Sequence, residues 1–311
     1  MSTETKLSPF ARFAWFALGY NIIVIVWGVF LRASKSGDGC GQHWLTCHGE
    51  VIPSAPELKT LIEFSHRVTS GVAFLVVLGL LVWAFRRYEK GSAVRKTAVV
   101  SFIFILTEAL VGAGLVLTGN TAETLTPTRP FWMMGHLVNT FILLAFLSLT
   151  AWYASGGRRF RLSADPKALA LLAVAVAGIF FVGMSGSLAA LSNMIFPSQS
   201  VSEGIAKDFA ESSHAILRLR LSHPISSIAF GVYLIFLAGW LRARSGQSAA
   251  VVRWSNVLSL LILLQLAWGA VTLLTLAPIV MQIIHLVLAD AVWIALILLG
   301  ANYLSERGRY E

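Results

Sequence analysis

Eight long apolar segments, near residues 13–31, 61–85, 97–118, 131–154, 168–191, 216–242, 254–276 and 281–303, take up most of this chain. Each is close to the roughly 20 residues that an α-helix needs to cross the hydrocarbon core of a bilayer. There every backbone N–H and C=O must bond internally, so runs of this length are expected to fold as helices. The expected fold class is an all-α integral membrane protein with eight transmembrane helices. Composition agrees, with 57% hydrophobic and 13% charged residues against about 45–50% and about 25% in a soluble globular chain. A chain of 311 residues then leaves no room for a large soluble domain.

The formal net charge of +9 raises nucleic acid as a partner, and the placement of the basic residues argues against it. Arg86, Arg87, Lys90, Arg95 and Lys96 follow the second segment, Arg158, Arg159, Arg161 and Lys167 the fourth, Arg242, Arg244 and Arg253 the sixth, and Arg307 and Arg309 the eighth. Basic residues concentrate in cytoplasmic loops, which puts these connections and both termini inside. Loops 32–60, 119–130, 192–215 and 277–280 then face outward. The first segment follows a short polar head without a convincing cleavage site and is read as a retained helix. That head contains Glu4 and is poor in Arg, unlike a mitochondrial transit peptide, so the expected home is a bacterial plasma membrane.

The chain repeats itself. Ser65-His66-Arg67-Val68-Thr69-Ser70 lines up with Ser222-His223-Pro224-Ile225-Ser226-Ser227, and Thr107-Glu108-Ala109-Leu110-Val111-Gly112-Ala113-Gly114 resembles Leu264-Gln265-Leu266-Ala267-Trp268-Gly269-Ala270. Four spans return the chain to its starting side, so halves 1–155 and 156–311 share one orientation and are expected to be related by an axis along the membrane normal. Two pseudo-symmetric four-helix bundles follow.

His66, His136, His223 and His285 stand a few residues inside the second, fourth, sixth and eighth segments. One interfacial histidine is readily an amphipathic residue with a wet polar edge. Four at equivalent depth on alternate helices, paired across a repeat, point to axial ligation of two haems by inward-facing imidazoles. His214, nine residues before His223, competes for the third ligand position. The alignment with His66 favours His223, and Pro224 suits a first helical turn.

Further polar residues surround this set. Glu63 precedes His66 by three residues and shares its helical face; it is either a proton-transferring carboxylate or an interfacial partner of Arg67 or Lys59. The matching position in the second half falls near Arg220. Cys40 and Cys47 lie in the first outer loop, where a disulfide is permitted. His43 and His48 make zinc or copper an alternative there, and the spacing is not that of covalent haem attachment. Glu108 and Gln265 occupy matched places in the third and seventh spans, where helix-to-helix hydrogen bonding is the ordinary role. Gly112, Gly114 and Gly269 suit close packing or room for a porphyrin.

Val26-Trp27-Gly28, then Leu31-Arg32-Ala33-Ser34-Lys35-Ser36-Gly37-Asp38-Gly39-Cys40-Gly41-Gln42-His43-Trp44, Cys47 and Leu61-Ile62-Glu63-Phe64-Ser65-His66-Arg67 resemble the opening of the haem A synthase family. Gly135-His136-Leu137, Leu217-Arg218-Leu219-Arg220-Leu221-Ser222-His223-Pro224 and Gln282-Ile283-Ile284-His285-Leu286-Val287-Leu288-Ala289-Asp290 extend the likeness through both halves. The resemblance implies an eight-helix enzyme that oxidises the C8 methyl of haem O to the formyl group of haem A. It implies His66 and His136 around the substrate haem O, Glu63 as catalytic carboxylate, His223 and His285 around a haem b cofactor, and a disulfide between Cys40 and Cys47. Haem O synthase and a terminal oxidase under assembly would be the partners, with oligomeric state, a homo-oligomer included, left open. Glu108 departs from the glutamine expected in the third span, while Gln265 keeps it in the repeat.

Two other classes compete. A dihaem cytochrome b would also pair histidines on helices, but usually places its haems on opposite sides of the membrane. A porphyrin or metal transporter would require broken helices and polar groups near the midplane, where only Glu108 and Gln265 lie.

Overall fold

The computed structural model describes residues 7–121, 125–160 and 165–307. Glu4, Arg161 and Arg309, and with them the two termini, lie outside the described residues. Among the described residues the chain forms ten helices and no strands: α1 Pro9–Ala33, α2 Leu58–Arg87, α3 Ala93–Leu117, α4 Arg129–Ala154, α5 Pro166–Ile195, α6 Val201–Phe209, α7 Ala215–Arg220, α8 Ser222–Arg244, α9 Ala249–Leu274 and α10 Ile279–Arg307. Eight spans are long and apolar enough to cross a membrane, with α7 and α8 together forming the sixth.

The helices outrun the apolar segments, because their ends are set by capping rather than by hydropathy. The side chains of Ser8, Ser92 and Asp165 accept from the backbone N–H groups of Ala11, Arg95 and Ala168, satisfying donors the helix itself leaves open. Pro9 and Pro166 follow two of these caps, with φ already helical and no N–H to satisfy. Helices of 25 to 30 residues are about 38–45 Å long, longer than the roughly 30 Å hydrocarbon core.

The sixth span is broken, against the expectation of an uninterrupted one. Pro224 sits in the first turn of α8, and a proline ring clashes with the carbonyl four residues back. That carbonyl belongs to Arg220, where α7 ends.

Loop 192–215 also holds an unexpected helix, α6. Ser200 accepts from Glu203 N at 3.1 Å, and Glu203 reaches back to Gln199 N at 2.8 Å. This is close to a capping box, and Ser200-Val201-Ser202-Glu203 was its visible signal.

In the first half α1 packs on α2, α2 on α3, α3 on α4 and α4 back on α1. In the second, α5 packs on α8, α8 on α9 and α9 on α10. α4 lies against both α5 and α10, and α1 also touches α10. Phe141, Phe180 and Trp293 form the seam, with ring centroids 5.4–6.2 Å apart, and the Trp293 indole donates to Phe141 O at 2.6 Å.

The polar connections sort to the two ends. At one end Trp15 bonds Ser155 at 3.0 Å, Arg159 bonds Gly91 O at 3.0 Å, and Tyr303 bonds the α5 cap Asp165 at 2.8 Å. The other end carries loop 34–57, α6 and the starts of the four spans bearing the histidines.

Candidate functional site

His66, His136 and His285 each lie about two turns inside α2, α4 and α10, and His223 lies at the same depth once α7 is counted with α8. All four rings are partly buried. His223 and His285 face each other across the second half, ring centroids 6.1 Å apart and planes at 90°.

Three rings rest on a glycine of a neighbouring helix. A Cβ on Gly28 of α1 would lie 3.0 Å from His66 Cε1, one on Gly186 of α5 2.8 Å from His223 Cε1, and one on Gly269 of α9 3.0 Å from His285 Cε1. Sequence reasoning singled out only Gly269 among these, because such contacts join different helices. Gly114 serves packing instead, since a Cβ there would overlap Trp132 at 2.3 Å. Nothing lies within 4 Å of a Cβ at Gly112.

The ring nitrogens suit a metal-centred guest. Nδ1 of His66, His136 and His285 is buried without a hydrogen-bond partner among the described residues. His223 Nδ1 lies 3.1 Å from Val182 O and 3.3 Å from Ser185 Oγ, which leaves Nε2 as the atom free to bind a metal. An orphaned buried nitrogen costs about 1–3 kcal/mol, and no hydrogen bond among the described residues ties these three rings through that atom. The donor set therefore fits haem.

His214 belongs to the loop. It caps α7, its Nδ1 accepting from Ile216 N at 3.3 Å, and it stacks on Phe196.

Glu63 is buried at the loop-bearing end of the first half. Its Oε1 lies 2.5 Å from Arg67 Nη2 and its Oε2 accepts from Cys40 N at 2.8 Å. Arg67 also donates to the carbonyls of His43 and Thr46 at 2.6 and 2.7 Å. The loop closed by the Cys40–Cys47 disulfide is thus fastened to α2 beside His66. Gly39 permits the approach, because a Cβ there would lie 2.4 Å from the Lys59 carbonyl. The sulfurs bond each other and His48 Nε2 lies 2.8 Å from Gly39 O. Among the described residues no three His, Cys, Asp or Glu side chains gather as a metal site.

The second half has an acid of its own at this end, which the repeat concealed. Asp208 on α6 is buried and lies 2.5 Å from Arg220 Nε, while Arg220 also bonds Asn193 at 3.0 Å and Gly204 O at 2.7 Å. Asp208 comes from an inserted helix with no counterpart in the first half, so no alignment of the halves could show it. Asp290 on α10 is also buried, and its carboxylate has no partner among the described residues.

Deeper, Glu108 on α3 faces His136 on α4 and Gln265 on α9 faces His285 on α10, at 3.6 and 3.4 Å. The repeat is thus expressed in side-chain contacts as well as in sequence.

These features define a polytopic helical membrane protein with paired histidines near one membrane face, under a disulfide-closed loop. The profile of the COX15-CtaA family, cytochrome oxidase assembly proteins, matches residues 11–297, and the chain belongs to that family. It is 39% identical over 112 residues to a heme A synthase of Exiguobacterium sp., 36% of each chain. It is 26% identical over 273 residues to a heme A synthase of Bacillus cereus, 85% of this chain and 83% of that one. The resemblance read from the motifs is therefore borne out. A protoheme IX farnesyltransferase of Thermus thermophilus is 44% identical over 301 residues, 97% of this chain and 49% of that protein. The chain spans about half the length of that relative.

Proposed function

We propose that the protein is a haem A synthase, which oxidises the C8 methyl of haem O to a formyl group. The observation that carries this reading is the set of four histidines at one depth, three with a buried ring nitrogen that has no hydrogen bond among the described residues, in a chain of this family. Methyl to aldehyde is a four-electron oxidation, most simply two hydroxylations through an alcohol and a hydrated aldehyde that loses water, each hydroxylation consuming one dioxygen with two electrons from an external donor and two protons and releasing one water. Bound haem supplies redox-active iron, and the protein supplies position and proton traffic. His66 and His136 hold substrate haem O in half 1–155; His223 and His285 hold haem b in half 156–311.

Glu63 is the carboxylate of the substrate site, and Arg67 with the Cys40 N–H keeps it oriented for proton transfer. The disulfide loop covers this end and shields it from water. The basic connections support an outer-face position for the histidines in a bacterial plasma membrane, with both termini cytoplasmic.

The Thermus relative favours a second reading, farnesyl transfer to protohaem. Half of that protein lies outside the match, so its name is equally met by the unmatched half. A prenyl diphosphate is usually handled through divalent cations bound by grouped carboxylates; Glu63, Glu108 and Asp290 stand on three different helices and form no such group. The same relative supports a haem O synthase as partner, with a terminal oxidase receiving the product.

The test is expression with a haem O source in air, followed by liquid chromatography and mass spectrometry of the extracted haems. Haem A or its alcohol precursor, absent from a His66→Ala control, is the expected result. Haem b alone would shift the weight to an electron-transfer cytochrome, and conversion of added haem b and farnesyl diphosphate to haem O would establish the transferase. Glu63→Gln is expected to retain haem while losing about 10²-fold or more in turnover; full activity would remove Glu63 from the mechanism.

A further inference from the structure

The histidines on α4 and α10 face side chains of different charge. Glu108 Oε1 lies 3.6 Å from His136 Nδ1, and that nitrogen is buried without a hydrogen bond. At the matched place Gln265 Nε2 lies 3.4 Å from the other ring nitrogen, His285 Nε2, while Gln265 Oε1 and His285 Nδ1 are buried without a hydrogen bond among the described residues. One histidine is therefore offered a carboxylate and the other a neutral carboxamide.

Glu108 is held in place by neighbours on its partner helix. Thr140 donates to Oε1 at 2.5 Å and Asn139 donates to Oε2. Thr107 fixes Asn139 by donating to its Oδ1 at 2.6 Å, and Asn139 also reaches Phe104 O at 2.9 Å. Hydrogen bonds to a charged acceptor are stronger than neutral ones, and this pair offsets much of the desolvation of a carboxylate within a span. Neither donor is a cation, so the negative charge is not cancelled. The face left open on Oε1 is turned to the imidazole.

We propose that Glu108 is a positioning residue that gives the two haems different reduction potentials, making the N-terminal haem the harder one to reduce. This rests on the assignment of the four histidines as haem ligands above. A ligating imidazole donates its other N–H to an outer partner, which fixes the ring and raises its basicity. When that partner is a carboxylate, the imidazole donates more strongly to iron, and the nearby negative charge stabilises the more positive ferric state. The Gln265 carboxamide, which turns its Nε2 to the ring, brings no such charge. Electrons therefore collect on the C-terminal haem, and the N-terminal haem is held ferric until one is delivered.

The experiment is a redox titration of the purified protein carrying both haems, followed in the visible spectrum, with His66→Ala used to assign the N-terminal signal. Glu108→Gln is expected to keep both haems and shift the N-terminal equilibrium toward the ferrous state at least tenfold, about 59 mV for one electron, leaving the C-terminal haem unmoved. Glu108→Asp should restore part of the difference. Gln265→Glu should shift the C-terminal haem tenfold the other way, and it decides the question if the α3 variant does not fold. Two bound haems with unchanged potentials in these variants overturn the proposal. A wild-type protein without haem, or haem content indifferent to His136→Ala and His285→Ala, overturns the ligand assignment instead.

Discussion

A glycine facing an imidazole is the smallest device in this molecule with a functional consequence. At Gly186 a methyl group would stand 2.8 Å from His223 Cε1, while His223 Nδ1 is tied to Val182 O and Ser185. The ring can make room only by giving up a hydrogen bond worth about 1 kcal/mol. Gly186→Ala is therefore expected to weaken haem retention in the second half about fivefold, whereas Gly112→Ala, with open space around it, leaves retention unchanged. Haem content per protein after dilution and re-isolation measures both, and equal retention in the two variants would refute the seat. His66, His136, His223 and His285 were legible in the sequence because an ionisable residue inside an apolar segment is costly and conspicuous. Their seats on Gly28 and Gly186 were not, since each contact joins two helices.

Among the elements, α6 is the one hydropathy overlooks, being short and outside the spans. It carries Asp208 to Arg220 at the end of α7, and so braces the break that Pro224 imposes before α8. Removing one partner of such a pair strands the other beneath the protein surface. Asp208→Ala is expected to cost about 3 kcal/mol, read as a lower thermal unfolding midpoint in detergent, with loosened haem binding at His223. A midpoint unchanged within error would make α6 an ornament of the loop. The Cys40–Cys47 loop is the corresponding element of the first half, held to α2 through Glu63 and Arg67. Its cysteine pair was visible in the sequence; its attachment to Glu63 was not, because Cys40 N is a backbone donor and backbone donors carry no residue signature.

Across the whole molecule, α4 touches α1, α3, α5 and α10, and Trp293 closes the seam by packing on Phe141 and Phe180. Loss of a buried indole costs about 3–5 kcal/mol, so Trp293→Ala should lower the stability of both halves together, seen as one shifted transition by calorimetry. Two separated transitions, with the first half unshifted, would mean that the halves are stable independently of the seam. The sequence by itself determined the eight spans, the repeat and the four histidines, since apolar length and isolated polar residues within it answer to the bilayer alone. Only the tertiary structure decided which helix faces which histidine. Whether His136 meets a carboxylate and His285 a carboxamide depends on how α3 and α9 are rotated against their neighbours, and that rotation is set by packing between helices rather than by the membrane.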